Sequence, residues 1–185
     1  MEVLTLCKSY DGKPVLYNVS FHLEAGGHYA VMGPSGSGKS TLLRLLMGLE
    51  KPDSGEVRLP HGTRFSAVFQ EDRLLEQMSA CANIRLVSRA AADQTEKLLL
   101  QLGIEQSSLQ LPVRAYSGGM KRRVALCRAL LAEYDVLLLD EPYKGLDEEN
   151  RRRAMTIVQR ETRGKTVVLV THEPNEAEGY QKIPW

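Results

Sequence analysis

The sequence predicts an α/β fold: a mostly parallel sheet core, preceded by an N-terminal antiparallel β region and interrupted by an inserted helical subdomain. Three observations carry this expectation. The apolar runs Asp135–Leu139 and Val167–Val170 lack polar alternation, as strands buried on both faces of a parallel sheet do, and Tyr29–Met32 is a short apolar run that ends at a glycine-rich turn. The N-terminal segments Val3–Leu6 and Val19–Leu23 alternate apolar and polar residues, the pattern of half-buried strands. Between about residues 72 and 133 helical spacing prevails and no strong strand pattern occurs, with Thr95–Leu102 the clearest segment.

The intervening pieces follow from local chemistry. A helix is expected from about Lys39, carrying Leu42, Leu43, Leu45, Leu46 and Leu49 towards the core. Lys51-Pro52-Asp53-Ser54-Gly55 reads as a turn, and Phe65–Phe69 as the next strand. At 185 residues the chain suits one domain, residues 1–185, with a sizeable core. A net charge of +1 provides no broad field for nucleic acid, which is excluded as a partner on that ground. The basic triplets Lys121-Arg122-Arg123 and Arg151-Arg152-Arg153 read either as phosphate patches or, because each lies in a helical stretch, as solvated helix faces, and the solvated face is the expectation. Three scattered cysteines, Cys7, Cys81 and Cys127, fit neither a zinc site nor a disulfide framework and favour a reducing cytosol. The N-terminus has no signal-peptide design, and no apolar run approaches the roughly 20 residues of a membrane span.

The strongest motif is Gly33-Pro34-Ser35-Gly36-Ser37-Gly38-Lys39-Ser40, followed by Thr41. It fits G-x-x-x-x-G-K-[ST] at every position, between a predicted strand and a predicted helix. Glycines let successive backbone N–H groups turn inward around phosphate oxygens, and the helix adds its positive end to the same anion. Lys39 is expected to reach the β- and γ-phosphates of a nucleotide, and the Ser40 hydroxyl to ligate Mg²⁺. The fold is therefore that of a P-loop NTPase. In such folds an acidic residue at the end of a second strand helps hold Mg²⁺, the role expected of Asp140 after Val136-Leu137-Leu138-Leu139. Glu141 follows directly and is the candidate general base for attack of water on the γ-phosphate. The Asn/Thr-Lys-x-Asp motif by which GTPases read guanine does not occur.

Tyr116-Ser117-Gly118-Gly119-Met120 resembles the ABC signature, usually Leu-Ser-Gly-Gly-Gln. Further landmarks of that family stand in its order. Gln70, in Val68-Phe69-Gln70-Glu71, resembles the Q-loop glutamine; Gly145-Leu146-Asp147 resembles the D-loop; His172 resembles the switch histidine; and Tyr10 stands where the family places an aromatic ring against adenine. The resemblance spans essentially residues 2–178. It implies an ATPase that works with Mg²⁺, in which two cassettes, a homodimer or an unlike pair, sandwich each ATP between one P-loop and the opposite signature. On that pattern Ser117, Gly118 and Gly119 serve the partner's ATP, and Asp147 lies at the dimer interface. His172 contacts the γ-phosphate, and Gln70 senses Mg²⁺ and the attacking water.

The resemblance also implies partners: integral membrane permease subunits, a solute-binding protein outside the membrane, and a cytoplasmic position on the inner face of the cell membrane. Val68–Leu75 is similar to the same stretch in bacterial nitrate, sulfonate and taurine import ATPases, which usually continue Pro-Trp where this chain has Glu76-Gln77. Met120 replaces the usual Gln, and the chain is expected to lack the final strands of many relatives after His172. A soluble ABC-type ATPase of translation or DNA repair is the alternative; such proteins carry a second cassette, or coiled-coil or zinc insertions, and neither occurs here.

Overall fold

A computed structural model describes all 185 residues, which divide into two compact units. The first comprises Met1–Phe65, Asp135–Asp140 and Gly164–Trp185; the second comprises Ser66–Tyr134 and Glu141–Arg163.

In the first unit, β1 (Glu2–Tyr10) pairs antiparallel with β2 (Lys13–His22) across the two-residue turn Asp11-Gly12. On its other side β1 pairs antiparallel with β4 (Ser54–Arg58), giving a three-stranded sheet of order β2-β1-β4. Ser54 and Gly55 thus already belong to a strand, which shortens the expected turn. Gly55 is what permits this approach: its φ is +84°, and a Cβ there would stand 2.4 Å from the Thr5 carbonyl oxygen.

The core sheet of this unit has the order β6-β7-β3-β8, and β5 (Phe65–Val68) carries the chain from one unit into the other. β6 (Val136–Asp140), β7 (Thr166–Thr171), β3 (His28–Met32) and β8 (Gln181–Ile183) run parallel. Every residue of β6 and β7 is buried, which is why their sequences read apolar throughout. Each fully buried Val or Leu there is worth about 1.5–3 kcal/mol relative to exposure. α1 (Lys39–Leu46) packs on β6 and buries Leu42, Leu43, Leu45 and Leu46.

Two expectations are corrected in this unit. Leu49 is 57% exposed rather than in the core, because α1 ends at Leu46 and Gly48, at φ +69°, turns the chain away. The chain also does form a further strand after His172, since β8 pairs Tyr29, Ala30 and Val31 with Gln181, Lys182 and Ile183.

The second unit is helical: α2 (Ala80–Arg85), α3 (Ala92–Gln101), α4 (Gly118–Leu131) and α5 (Glu148–Glu161). α4 is central, packing against α2, α3 and α5. Its basic triplet overturns the expectation of a solvated face. Arg122 and Arg123 are 6% and 7% exposed, whereas Arg151–Arg153 lie on α5 in ion pairs with Glu148 and Glu149. The buried guanidiniums are satisfied by carbonyls of neighbouring segments: Arg123 donates to Gly119 O, Leu102 O and Gly103 O at 3.1, 2.9 and 2.7 Å, and to Asn150 Oδ1 at 2.9 Å. No helix of the chain is long and apolar enough to cross a membrane.

Gly55→Ala should destabilise the first unit by more than ~1 kcal/mol, through left-handed strain and the clash with β1. Urea unfolding measures this as a lower midpoint; an unchanged midpoint would contradict the β1–β4 register.

Candidate nucleotide site

The parallel pairing decides where the first unit's chemistry lies. Met32 pairs with Thr171, and Asp140 with Val170, so β3, β7 and β6 all end at one sheet edge. The phosphate loop leaves that edge after Met32, His172 follows Thr171, and Asp140 closes β6. Crevices outside the carboxyl ends of parallel strands are where ligands bind in open α/β sheets.

The loop between β3 and α1 is built for an anion. Gly38, the N-cap of α1, has φ +88°, and a Cβ on it would meet Val15 Cγ1 at 2.8 Å, so no side chain fits there. No side chain caps α1, and its first turn holds no acidic residue, which leaves the helix's positive end available to a phosphate. Lys39 is 6% exposed, and its Nζ donates to the carbonyls of Gly33 and Pro34, both at 2.7 Å. The ammonium therefore lies across the loop, held by two neutral acceptors that anionic phosphate oxygens can replace with stronger, charge-assisted bonds. Ser37 N bonds Pro34 O at 3.3 Å within the loop.

Around this loop the unit supplies few but suitable groups. Asp140 is 3% exposed and Ser40 sits in the first turn of α1. A carboxylate and a hydroxyl are hard oxygen donors of the kind Mg²⁺ prefers. With one carboxylate and one hydroxyl from the protein, a Mg²⁺ ion would take phosphate oxygens and waters for the rest of its octahedral shell. The turn after β7 is braced by Thr171, whose hydroxyl donates to the buried Glu176 and accepts from Glu173 N at 3.0 Å. His172 projects from this turn with a half-exposed side chain, 3.4 Å from Glu173 Oε1. Tyr10, at the end of β1, is 39% exposed and its hydroxyl donates to Glu50. One contact had no signal in the sequence: Trp185 Nε1 donates to Ser37 Oγ at 3.0 Å, laying the indole on the phosphate loop.

The second unit holds the remaining predicted residues. Glu141 is 6% exposed and has φ +47°, a conformation costly for a non-glycine residue and doubly unusual before a proline. Such strain clusters at functional positions. Lys144 Nζ lies 3.0 Å from Glu141 Oε2. Gln70 is exposed, while its own carbonyl accepts from Arg122 at 2.6 Å. Ser117 is the N-cap of α4, its Oγ accepting from Met120 N at 3.2 Å, so the exposed Gly118 and the half-buried Gly119 form the start of a helix. A Cβ on Gly119 would come within 3.4 Å of Gly145 O, which places the signature beside the segment leading to Asp147. Asp147 caps α5: Oδ1 accepts from Asn150 N at 2.9 Å and Oδ2 from Asn150 Nδ2 at 2.6 Å. Those bonds, the backbone N–H first, hold its carboxyl below the usual range.

The ABC transporter family matches residues 16–144. The chain is 41% identical over 184 residues to the aliphatic sulfonates import ATP-binding protein SsuB 1 of Rhizobium johnstonii, covering 92% of this chain and 66% of that protein. It is 42% identical to the protein of the same name from Shouchella clausii, covering 92% and 70%. The thiamine import ATP-binding protein ThiQ of Histophilus somni is 35% identical, with 90% and 86% covered. The chain thus spans about two thirds of the length of the sulfonate-import relatives. Among solved structures, the dimeric ATP-binding cassette MJ0796 in a post-hydrolysis state bound to ADP and Pi superposes with a TM-score of 0.83 at 28% identity, covering 95% of this chain and 89% of that one. On this match the chain belongs to the ABC transporter family, as an ATP-binding cassette.

Proposed function

We propose that this cassette drives import of an organosulfonate-type anion through a separate membrane permease. The supporting observation is its 41–42% identity to two sulfonate-import ATP-binding proteins over 92% of its length, against 35% to the thiamine-import protein. Two copies, or one copy and an unlike cassette, close around ATP on the inner face of the cell membrane. A solute-binding protein on the far side delivers the cargo.

In this reading each side chain has one task. Lys39 exchanges the carbonyls of Gly33 and Pro34 for β- and γ-phosphate oxygens, and the backbone of Gly33–Ser40 with Thr41 encloses them. Tyr10 packs against adenine. Ser40, Asp140 and Gln70 hold Mg²⁺, which neutralises charge on the phosphates. Glu141 takes the proton of the attacking water, and His172 donates to the γ-phosphate. Ser117, Gly118 and Gly119 present a helix N-terminus to the ATP of the second copy, with Asp147 beside the interface.

Lys39→Ala should weaken Mg-ATP binding by at least 10-fold, since each charge-assisted bond lost is worth roughly 1.5–3 kcal/mol. Trp185, the single tryptophan, lies on the loop and reports binding by its fluorescence. Undiminished affinity would overturn the loop's role. Glu141→Gln should bind ATP normally but slow hydrolysis by roughly 10²–10⁴-fold, the usual worth of a general base. The trapped ATP should then shift the protein to a dimer in light scattering, and full hydrolysis by this variant would refute the assignment of Glu141. Cells lacking the gene should fail to grow with an alkanesulfonate as sole sulfur source; normal growth there, with impaired growth on limiting thiamine, would move the cargo to thiamine.

A further inference from the structure

The segment from Phe69 to Arg73 has neither helix nor strand to satisfy its carbonyls, yet four of them are bonded from one helix. Arg122 of α4 donates from Nη1 to Phe69 O and from Nη2 to Gln70 O, both at 2.6 Å. Arg128, six residues on, donates to Asp72 O at 2.8 Å and Arg73 O at 2.7 Å. Arg122 also stands 3.1 Å from Asp72 Oδ1, but that oxygen accepts no hydrogen bond, so the fork is aimed at the two carbonyls rather than at the carboxylate. Burial pushes the Asp72 carboxyl up despite the nearby cations. Arg73 lies over the Phe69 ring at 4.2 Å, closing the segment on itself.

We propose that Arg122 is a positioning residue for Gln70. Its planar fork fastens the Phe69–Gln70 peptide to the helix that begins at the signature, so the exposed Gln70 side chain starts from a fixed backbone. The backbone of Gln70 and the Ser117–Gly119 turn then form one block, joined through α4. Lysine cannot reproduce this, because an ammonium is a point donor and not a two-pronged one. The inference rests on the reading that Gln70 serves the ATP site.

A double-mutant cycle on the full chain tests it, with ATPase kinetics, Mg²⁺ dependence and ATP affinity measured for each variant. Arg122→Met keeps the aliphatic stem and removes the fork. It should lower kcat about 10- to 100-fold, the usual cost of misplacing a catalytic group by about an ångström, with KM for ATP nearly unchanged and more Mg²⁺ needed for half-maximal rate. Gln70→Ala should show a comparable loss, and the double variant should be no worse than Gln70→Ala alone. Arg122→Lys should stay nearer to the Met variant than to the parent, and it serves the same cycle if Arg122→Met does not melt cooperatively. Asp72→Asn, which leaves the fork in place, should retain most activity. Losses that multiply in the double variant, or parental kcat in a folded Arg122→Met protein, would overturn the positioning role and leave the ATPase reading intact. Parental activity in Gln70→Ala would overturn the role of Gln70 itself, and the inference with it.

Discussion

Parallel hydrogen bonding of β7 between β3 and β6 is the constraint on which the first unit depends. It brings the carboxyl ends of three strands to one edge, so the phosphate loop, Asp140 and His172 become neighbours although they are far apart in the chain. Reversing β6 alone would carry Asp140 to the opposite edge, about 13 Å away for a strand of this length. Because β6 and β7 are buried on both faces, apolar pattern alone does not pin their register. Polar contacts at the strand ends do so: Gly26 N donates to Thr166 Oγ1 at 3.0 Å, and Thr166 N to Asp135 O at 3.2 Å. Beyond the other end, the Thr171–Glu176 pair fixes the turn that bears His172.

The second unit relies on a different device. Arg122, Arg123 and Arg128 of α4 reach backbone carbonyls of segments remote in sequence, where no ladder could form. Burying a guanidinium is costly unless its donors are used, and here they satisfy acceptors that would otherwise be stranded. The signature turn gains from the same arrangement, since Arg123 also binds Gly119 O and the Asn150 side chain that completes the Asp147 cap. Removing one arginine would thus disturb several loops at once, an expectation that differs from an ordinary surface substitution.

The legible parts of the sequence were those whose chemistry is local. Gly33–Ser40 declares itself because phosphate binding demands small residues at fixed offsets, and β6 and β7 because burial on both faces removes polar residues. Gly55 hid in an apparent turn, since a glycine that admits a neighbouring strand reads like one that bends the chain. The arginines of α4 read as a solvated face because their acceptors are backbone carbonyls, which leave no pattern in side-chain identity. β8 carries no apolar pattern of its own, being a three-residue strand with two exposed positions. The cap at Asp147 could have been found, because an Asp followed by Glu148, Glu149 and Asn150 has the form of a helix start. The Trp185 contact with Ser37 had no comparable signal.

On the proposed function, the carboxyl edge of the parallel sheet would hold Mg²⁺ only together with nucleotide phosphates, through Ser40 and Asp140. Electron paramagnetic resonance of Mn²⁺, used in place of Mg²⁺, tests this most directly when the ion is titrated into the protein with and without a non-hydrolysable ATP analogue. Tight Mn²⁺ binding is expected only with the analogue, weakened at least 10-fold in Asp140→Asn while the analogue itself still binds. Equal Mn²⁺ binding without nucleotide, or affinity indifferent to Asp140, would contradict it.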